Sequence, residues 1–197
     1  MQTWKDIRTQ TLNLGFEKTK TYEKNKQSYI DAYNWAQGLV ASTIGGVLGK
    51  VGIGCDGAHG HIFDLHQLAQ AKDEEFIAMA QSGVMDSHNH TIDGWSLADN
   101  RYLTMPAGFT GYAVVNLLVM PAPITAADSD DTPCHLPAKW ANLMPYLMAS
   151  RLYLDDEPEK AGYYWNLYTD MRDEMLKKEN SPHLAVNGGA DIDRWCI

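Results

Sequence analysis

Residues 143–158 read LMPYLMASRLYLDDEP, and no other segment predicts so much of the fold. Leu143, Leu147 and Leu154 recur at spacings that place them on one face of a helix. Pro145 lies within this run, and a proline inside a helix kinks or restarts it. The Asp-Asp-Glu turn then leads to Pro158, which suits the first turn of a following helix. We therefore expect two helices here, folded back on each other as an antiparallel hairpin.

The final helix is expected to run from Pro158 to about Lys178, because an aromatic and apolar stripe continues at helical spacing. That stripe consists of Ala161, Tyr164, Trp165, Tyr168, Met171 and Met175. Its first turn is acidic and its last turn is basic, which suits the helix dipole. A helix of this length spans about 31 Å at ~1.5 Å per residue.

The N-terminal third predicts two more helices. Thr3 and Asp6 form a capping-box pattern at the start of a helix over 4–14. A second helix is expected from Ser28 to Ile44, where two glycines stop it. Residues 17–27 between them are polar and rich in lysine, and are interpreted as a linker.

The middle of the chain changes character. Seven glycines between residues 45 and 60 predict a loop, followed by two short helices over 65–71 and 73–81. A short strand over 101–105 and a longer one over 111–120 follow. The longer strand is apolar on both faces, so we expect it to be covered on both sides.

Together these elements predict a mainly α protein, with a helical bundle, a C-terminal helical hairpin, a small inserted β element and an extended C-terminal arm. The expected organisation is a bundle core from 1–44 and 137–179, a Gly/His-rich insertion at 45–100, a small β element at 101–125 and a docking arm at 180–197.

Composition limits the possible functions. The chain has 197 residues with a formal charge of −9, and 45% of them are hydrophobic, which permits a globular core. This acidity argues against a general nucleic-acid binder. Three scattered cysteines, no apolar signal segment and no membrane-length run predict a soluble intracellular protein. Residues 1–27 carry a basic excess, which fits either a solvated face or a docking end.

The histidines offer the strongest case for catalysis. Cys55, His59, His61 and His66 lie within twelve residues and could bind zinc, which makes a small metal-dependent hydrolase built on Cys55, His59 and His61 the alternative function. Paired ligand spacings are missing, so exposed loop histidines are the simpler interpretation. The G-x-G-x-x-G match at 52–57 lacks the βαβ context of a dinucleotide site. No catalytic or metal residue, cofactor or enzyme activity is predicted.

Two sets of residues are candidates for protein contacts. Tyr163, Trp165 and Tyr168 form an aromatic stripe suited to a subunit interface. The arm ends in an apolar tip, which has two open fates: packing back on its own domain or docking in a partner. The candidate docking residues are Ile192, Arg194, Trp195 and Ile197.

The order of several motifs resembles the head-to-tail connector (adaptor) proteins of tailed bacteriophages. The segments that carry the resemblance are LMPYLMASRLYLDDEP at 143–158 with Ala161, Tyr164 and 168–176, YLTMPAGFTG at 102–111, PAPIT at 121–125, TWKDI at 3–7 and the helix at 29–43. The similarity covers roughly residues 3–44 and 101–179. The 45–90 region departs from the family's pattern.

The resemblance implies a structural protein of the virion neck, assembled in the host cytoplasm. Such adaptors form rings, typically dodecamers, beneath the portal. They extend the DNA channel and join the capsid to the tail. The expected partners are further copies of the chain, the portal protein, and a tail or further neck protein. Viral DNA would pass without specific binding, and no membrane is involved. A helical scaffold unrelated to phage is a third interpretation.

Overall fold

The computed structural model describes residues 2–15, 19–57 and 60–180. Over these residues the structure is mixed α/β, 43% helical and 27% strand, with two antiparallel three-stranded sheets. The prediction of a mainly α fold with a small β element is therefore wrong. The physical reason is that two segments interpreted as a loop and a helix are the long strands that flank the predicted one.

Three helices come first, six strands interrupted by one short helix follow, and three helices end the described part of the chain. The elements are α1 (Trp4–Asn13), α2 (Thr19–Lys24), α3 (Lys26–Thr43), β1 (Val47–Asp56), β2 (Ile62–Asp64), α4 (Leu65–Gln70), β3 (Glu75–Asp86), β4 (Ser96–Ala98), β5 (Tyr102–Thr104), β6 (Thr110–Met120), α5 (Ala138–Ala141), α6 (Met144–Tyr153) and α7 (Pro158–Asn180).

The predicted capping box starts α1. The Asp6 amide donates to Thr3 Oγ1 at 3.2 Å, and the Thr3 amide donates to Asp6 Oδ2 at 2.9 Å, so two free amides at the helix start are satisfied. Trp4 then packs edge-on against Tyr33 of α3, with ring centroids 5.0 Å apart. This contact joins the first helix to the centre of the bundle.

Pro145 restarts the helix rather than interrupting it. α5 ends at Ala141, and α6 begins at Met144 with the proline in its first turn, where no helical hydrogen bond is lost. α6 and α7 form the predicted hairpin, and Leu147 and Tyr168 are buried in the core. α3 and α1 pack against α6 to complete the bundle.

The larger sheet has β6 at its centre, paired antiparallel with β1 and β3. In β1 alternate residues are buried, including Val47, Val51, Ile53 and Cys55, while their neighbours face solvent. The glycine-rich composition of this segment predicted a loop, which is wrong, because the apolar residues retain the period of two that a strand requires.

β3 contains a large bulge that interrupts the alternating pattern by which a strand is recognised in a sequence. Met79 pairs with Leu117, but the next pair is Val84 with Val115, so four residues of β3 lie opposite Asn116 alone. Asn116 Nδ2 donates to the Gly83 carbonyl at 3.2 Å and fixes the bulge. The prediction of a short helix over 73–81 is wrong, because most of this segment belongs to β3, whose bulge interrupts the alternation that indicates a strand.

The second sheet has the order β2-β5-β4, and its three strands lie in the sequence between the strands of the first sheet. Asp64 caps α4 and accepts two hydrogen bonds from Arg101, at 3.0 and 2.6 Å. The predicted strands over 101–105 and 111–120 and the helix near 65–71 are confirmed as β5, β6 and α4. One face of β6 is fully buried and the other is only partly covered.

Candidate interaction surface

An apolar groove of about 340 Å³ lies between α3, α6 and α7. Trp35 and Trp165 form its walls, with ring centroids 6.4 Å apart and planes inclined by 33°. Leu154, at the end of α6, is 48% exposed beside them. Contiguous large apolar side chains that are incompletely covered are typical of surfaces that bind a partner or a ligand.

The floor of the apolar groove is formed by the start of α7. Pro158, Ala161, Gly162 and Trp165 follow one side of that helix at spacings of three and four. A Cβ atom added to Gly162 would meet no atom within 4 Å. The glycine therefore leaves open space in the groove that no side chain of the described part of the subunit fills.

An acidic pocket of about 490 Å³ adjoins the apolar groove and shares Arg151 and Leu154 with it. Its acidic lining residues are Asp31, Asp155, Asp156 and Glu157. Glu157 pairs with Lys160 at 2.6 Å, whereas Asp155 and Asp156 make no ion pair within the described ranges. The Arg151 guanidinium lies over the Trp35 ring at 6.0 Å. The combined surface thus has an apolar end and a carboxylate end.

The three aromatic residues predicted for a subunit interface have different positions. Tyr163 is 59% exposed and packs edge-on against Tyr164, and Trp165 lines the apolar groove. Tyr168 is only 1% exposed and packs beneath Trp165, with ring centroids 5.7 Å apart. Tyr168 thus supports the groove from below and offers no surface of its own.

Sequence reasoning missed Trp35 and Leu154. Trp35 lies next to the buried stripe of α3 without belonging to it, and Leu154 follows the last turn of α6. A tryptophan placed off the apolar face of an amphipathic helix was the available signal. What the pattern does not contain is the crossing of α3 with α7 that brings Trp35 to Trp165.

A second exposed apolar surface lies on the small sheet. Ile62 pairs with Thr104 and Tyr102 pairs with Asp64, so Ile62 and Tyr102 share one face of neighbouring strands. Ile62 is 68% exposed and Tyr102 is also exposed. We call these two residues the small-sheet patch.

The cysteine and histidine residues of the alternative hydrolase are not brought together. Cys55 points into the core, where burial raises the pKa of its thiol. His61 lies at the surface with Nε2 2.7 Å from Asp56 Oδ1. His59 lies outside the described residues. Within residues 2–15, 19–57 and 60–180, no group of three His, Cys, Asp or Glu side chains is arranged to hold a metal ion.

The basic N-terminal residues are partly used inside the subunit. Arg8 donates two hydrogen bonds to Asp130, at 2.7 and 3.0 Å, and its guanidinium lies 4.3 Å from the centre of the Tyr22 ring. This pairing lowers the pKa of the Asp130 carboxyl. Lys26 Nζ donates to the Ala126 carbonyl at 3.1 Å. These contacts tie α1 and α3 to residues 126–131, which we call the acidic loop, so this part of the basic excess stabilises the fold.

The docking residues Ile192, Arg194, Trp195 and Ile197 lie outside the described residues. Among the described helices, none is both long and apolar enough to span a bilayer. No protein-family model matches the chain, and no curated protein matches it.

Proposed function

We propose that this protein is a structural head-to-tail adaptor of a tailed phage. It forms a ring beneath the portal, extends the DNA channel and joins the capsid to the tail. The observation that carries the proposal is the pair of different exposed apolar surfaces, the apolar groove and the small-sheet patch, on one small acidic subunit.

A closed ring needs two unlike surfaces on each subunit, since neighbours meet head to tail and rotation closes the circle. The apolar groove is concave, and the small-sheet patch presents Ile62 and Tyr102 from a flat sheet. In the proposed ring, the small-sheet patch of one subunit packs against the groove of the next. Exposed apolar side chains on both surfaces supply the driving force.

The charge of the subunit suits a channel through which DNA slides. Each copy carries a formal charge of −9, and attraction between cationic side chains and phosphate would hold the genome in place. A ring of acidic subunits avoids that attraction. The proposed role therefore requires passage of DNA without specific binding, in agreement with the absence of a basic excess in the whole chain.

The arm at 180–197 is proposed to bind the portal, with Ile192, Arg194, Trp195 and Ile197 as its contacts. A tryptophan anchor that becomes fully buried in a partner contributes more than about 2 kcal/mol to binding. A Trp195→Ala chain is therefore expected to attach to the portal much more weakly.

The test is assembly of this chain on the portal protein of the phage that encodes it, viewed by cryo-electron microscopy. The expected product is a ring of this chain below the portal. Trp165→Asp and Ile62→Asp should each prevent ring closure, because each places a carboxylate in one half of the subunit contact. Leu48→Asp is the matched control, since Leu48 is an exposed apolar residue outside both surfaces. A chain that never binds the portal contradicts the proposal.

A further inference from the structure

We infer that the apolar groove and the acidic pocket together form a binding site for residues 192–197 of the same chain in the free subunit. Trp195 enters the apolar groove, and the neighbouring Arg194 pairs with Asp155 and Asp156. This site is independent of the proposed function, because it concerns one subunit before any assembly.

The first argument is that the side chains of the arm complement the charged and apolar ends of the combined surface. The combined surface places Asp155 and Asp156, which form no ion pair with any residue that the structure describes, beside Arg151 and a slot walled by Trp35 and Trp165. A ligand that satisfies both ends must carry a cation next to a large apolar side chain. The segment IDRWCI supplies a guanidinium and an indole on consecutive residues. Arginine is well suited to carboxylates, and indole rings stack against other aromatic rings.

The second argument is reach. α7 contains 23 residues and so measures about 34 Å, and the apolar groove lies along its first two turns. Fourteen residues lie between Asn180 and Trp195, which makes fifteen steps along the chain. An extended chain of that length spans up to about 50 Å, at ~3.3 Å per residue. Trp195 can therefore return along α7 to its own Trp165 without strain.

The third argument is Gly162. A glycine inside a helix is costly, and here neither its conformation nor a neighbouring group in the described subunit requires it. A peptide backbone that lay across the floor of the apolar groove would need the space left by the absence of a Cβ atom at Gly162. The open space therefore fits a ligand that approaches closely, as an extended segment does.

The occupant is the chain's own segment rather than a second copy's. A short tether raises the effective concentration of the arm at its own groove to the millimolar range. A segment from another subunit competes only at protein concentrations above that. The intramolecular complex therefore prevails in a dilute solution of the free subunit.

Occupancy of the groove has a consequence for assembly. In the proposed ring the same groove receives the neighbouring subunit. A subunit whose arm lies in its own groove cannot accept a neighbour there.

The test uses Cys196, which adjoins Trp195 in sequence, together with an introduced groove cysteine in the full-length chain. Cys55 and Cys134 are buried and do not compete. Leu154→Cys places a thiol in the apolar groove. Glu159→Cys is the matched control, because Glu159 lies at the same end of α7 but outside the residues that line the groove. Mild oxidation, followed by non-reducing electrophoresis and intact mass, measures the rate of disulfide formation.

We expect the Leu154→Cys chain to form an intramolecular disulfide with Cys196 at least about tenfold faster than the Glu159→Cys chain does. An arm that does not dock samples both positions at similar effective concentration, so equal rates would overturn the inference. A disulfide that links two chains would also overturn it, since the occupant would then belong to a second copy.

Substitutions in the arm test whether the fast disulfide formation depends on docking rather than on a local disturbance caused by the new cysteine. Adding Trp195→Ala to the Leu154→Cys chain should lower the rate to that of the Glu159→Cys control. Arg194→Glu should do the same and should remove the dependence of the rate on salt. An unchanged rate in both variants would refute docking. Failure of the portal assembly experiment would leave all of these results untouched.

Discussion

The helical bundle and the larger sheet show two ways of specifying structure. In the bundle, the packing of large buried side chains specifies the structure. Trp140, Leu147 and Tyr168 fill the centre, and each lies at helical spacing from apolar neighbours in its own helix. In the sheet, backbone shape is decisive, since the bulge opposite Asn116 depends on the unusual conformation of Gly83. The two regions should therefore fail for different reasons when single residues are changed.

The largest effect is expected in the bundle. Trp140→Ala removes a tryptophan that is almost completely buried, and should lower the free energy of unfolding by about 3–5 kcal/mol. Urea denaturation followed by circular dichroism measures the change. Trp35→Ala is the control, because the same atoms are removed from an exposed site and the expected loss is below about 1 kcal/mol. Similar losses at both positions would show that the bundle does not depend on its filled centre.

In the sheet, the expected effect comes from one backbone conformation. Gly83 has φ +59°, and an added Cβ would lie 2.9 Å from the Trp95 ring. Gly83→Ala should therefore lower the free energy of unfolding by about 1–3 kcal/mol, through strain and displacement of the indole. Thermal and urea denaturation would measure it.

Gly54→Ala tests whether that loss is specific to the bulge. Gly54 lies in β1 with ordinary backbone angles, and an added Cβ would meet no atom within 4 Å. The expected change is within about 0.5 kcal/mol of zero. An equal loss at both glycines would mean that the bulge is not the sensitive feature of this sheet.

The same contrast explains what the sequence predicted about the fold. The Thr3 capping box, the restart at Pro145 and the α6–α7 hairpin are local signals, and all are confirmed. β1 is not predicted, because its glycines favour a loop, although Val47, Val51, Ile53 and Cys55 occupy every second position and are buried, as a strand requires. β3 was hidden because a bulge destroys alternation, and the hydrogen bond from Asn116 that stabilises it joins residues far apart in sequence.

The candidate site was only half predictable for a related reason. Trp165 and Ala161 follow from the periodicity of one helix. The apolar groove also needs Trp35 and Leu154, which belong to two other elements. Their meeting depends on how α3 crosses α6 and α7, and no spacing within a single helix specifies that crossing.

A smaller effect is expected where the N-terminal helix meets the acidic loop. Arg8→Met keeps the apolar stem against Trp4 and Tyr22 but removes the two hydrogen bonds to Asp130 and the hydrogen bond that Arg8 donates to the Tyr22 hydroxyl at 3.0 Å. The expected loss is about 1 kcal/mol near neutral pH, since the pair is partly exposed. Denaturation at several pH values measures it.

The pH dependence of that loss has a definite sign. Arg8 lowers the pKa of Asp130 in the folded state, so the stabilisation is complete above the unfolded pKa of about 3.9. It disappears as the pH falls through the lower folded pKa. The difference between Arg8→Met and the wild type should therefore shrink below about pH 4. A difference that persists in strong acid would show that packing, rather than the ion pair, is responsible.

The smallest expected change has the opposite sign. Gly162→Ala should raise the free energy of unfolding by about 0.5–1 kcal/mol, because alanine has the better helix propensity and the new methyl group meets no atom in the described subunit. Gly83→Ala and Gly162→Ala are the same chemical change, so their opposite signs separate a glycine needed by the backbone from one that is not. If residues 192–197 lie across the apolar groove, the methyl group also weakens their docking, and the gain should be larger in a Trp195→Ala background than in the wild type. A loss of stability in both backgrounds would mean that Gly162 is required by the fold of α7 itself.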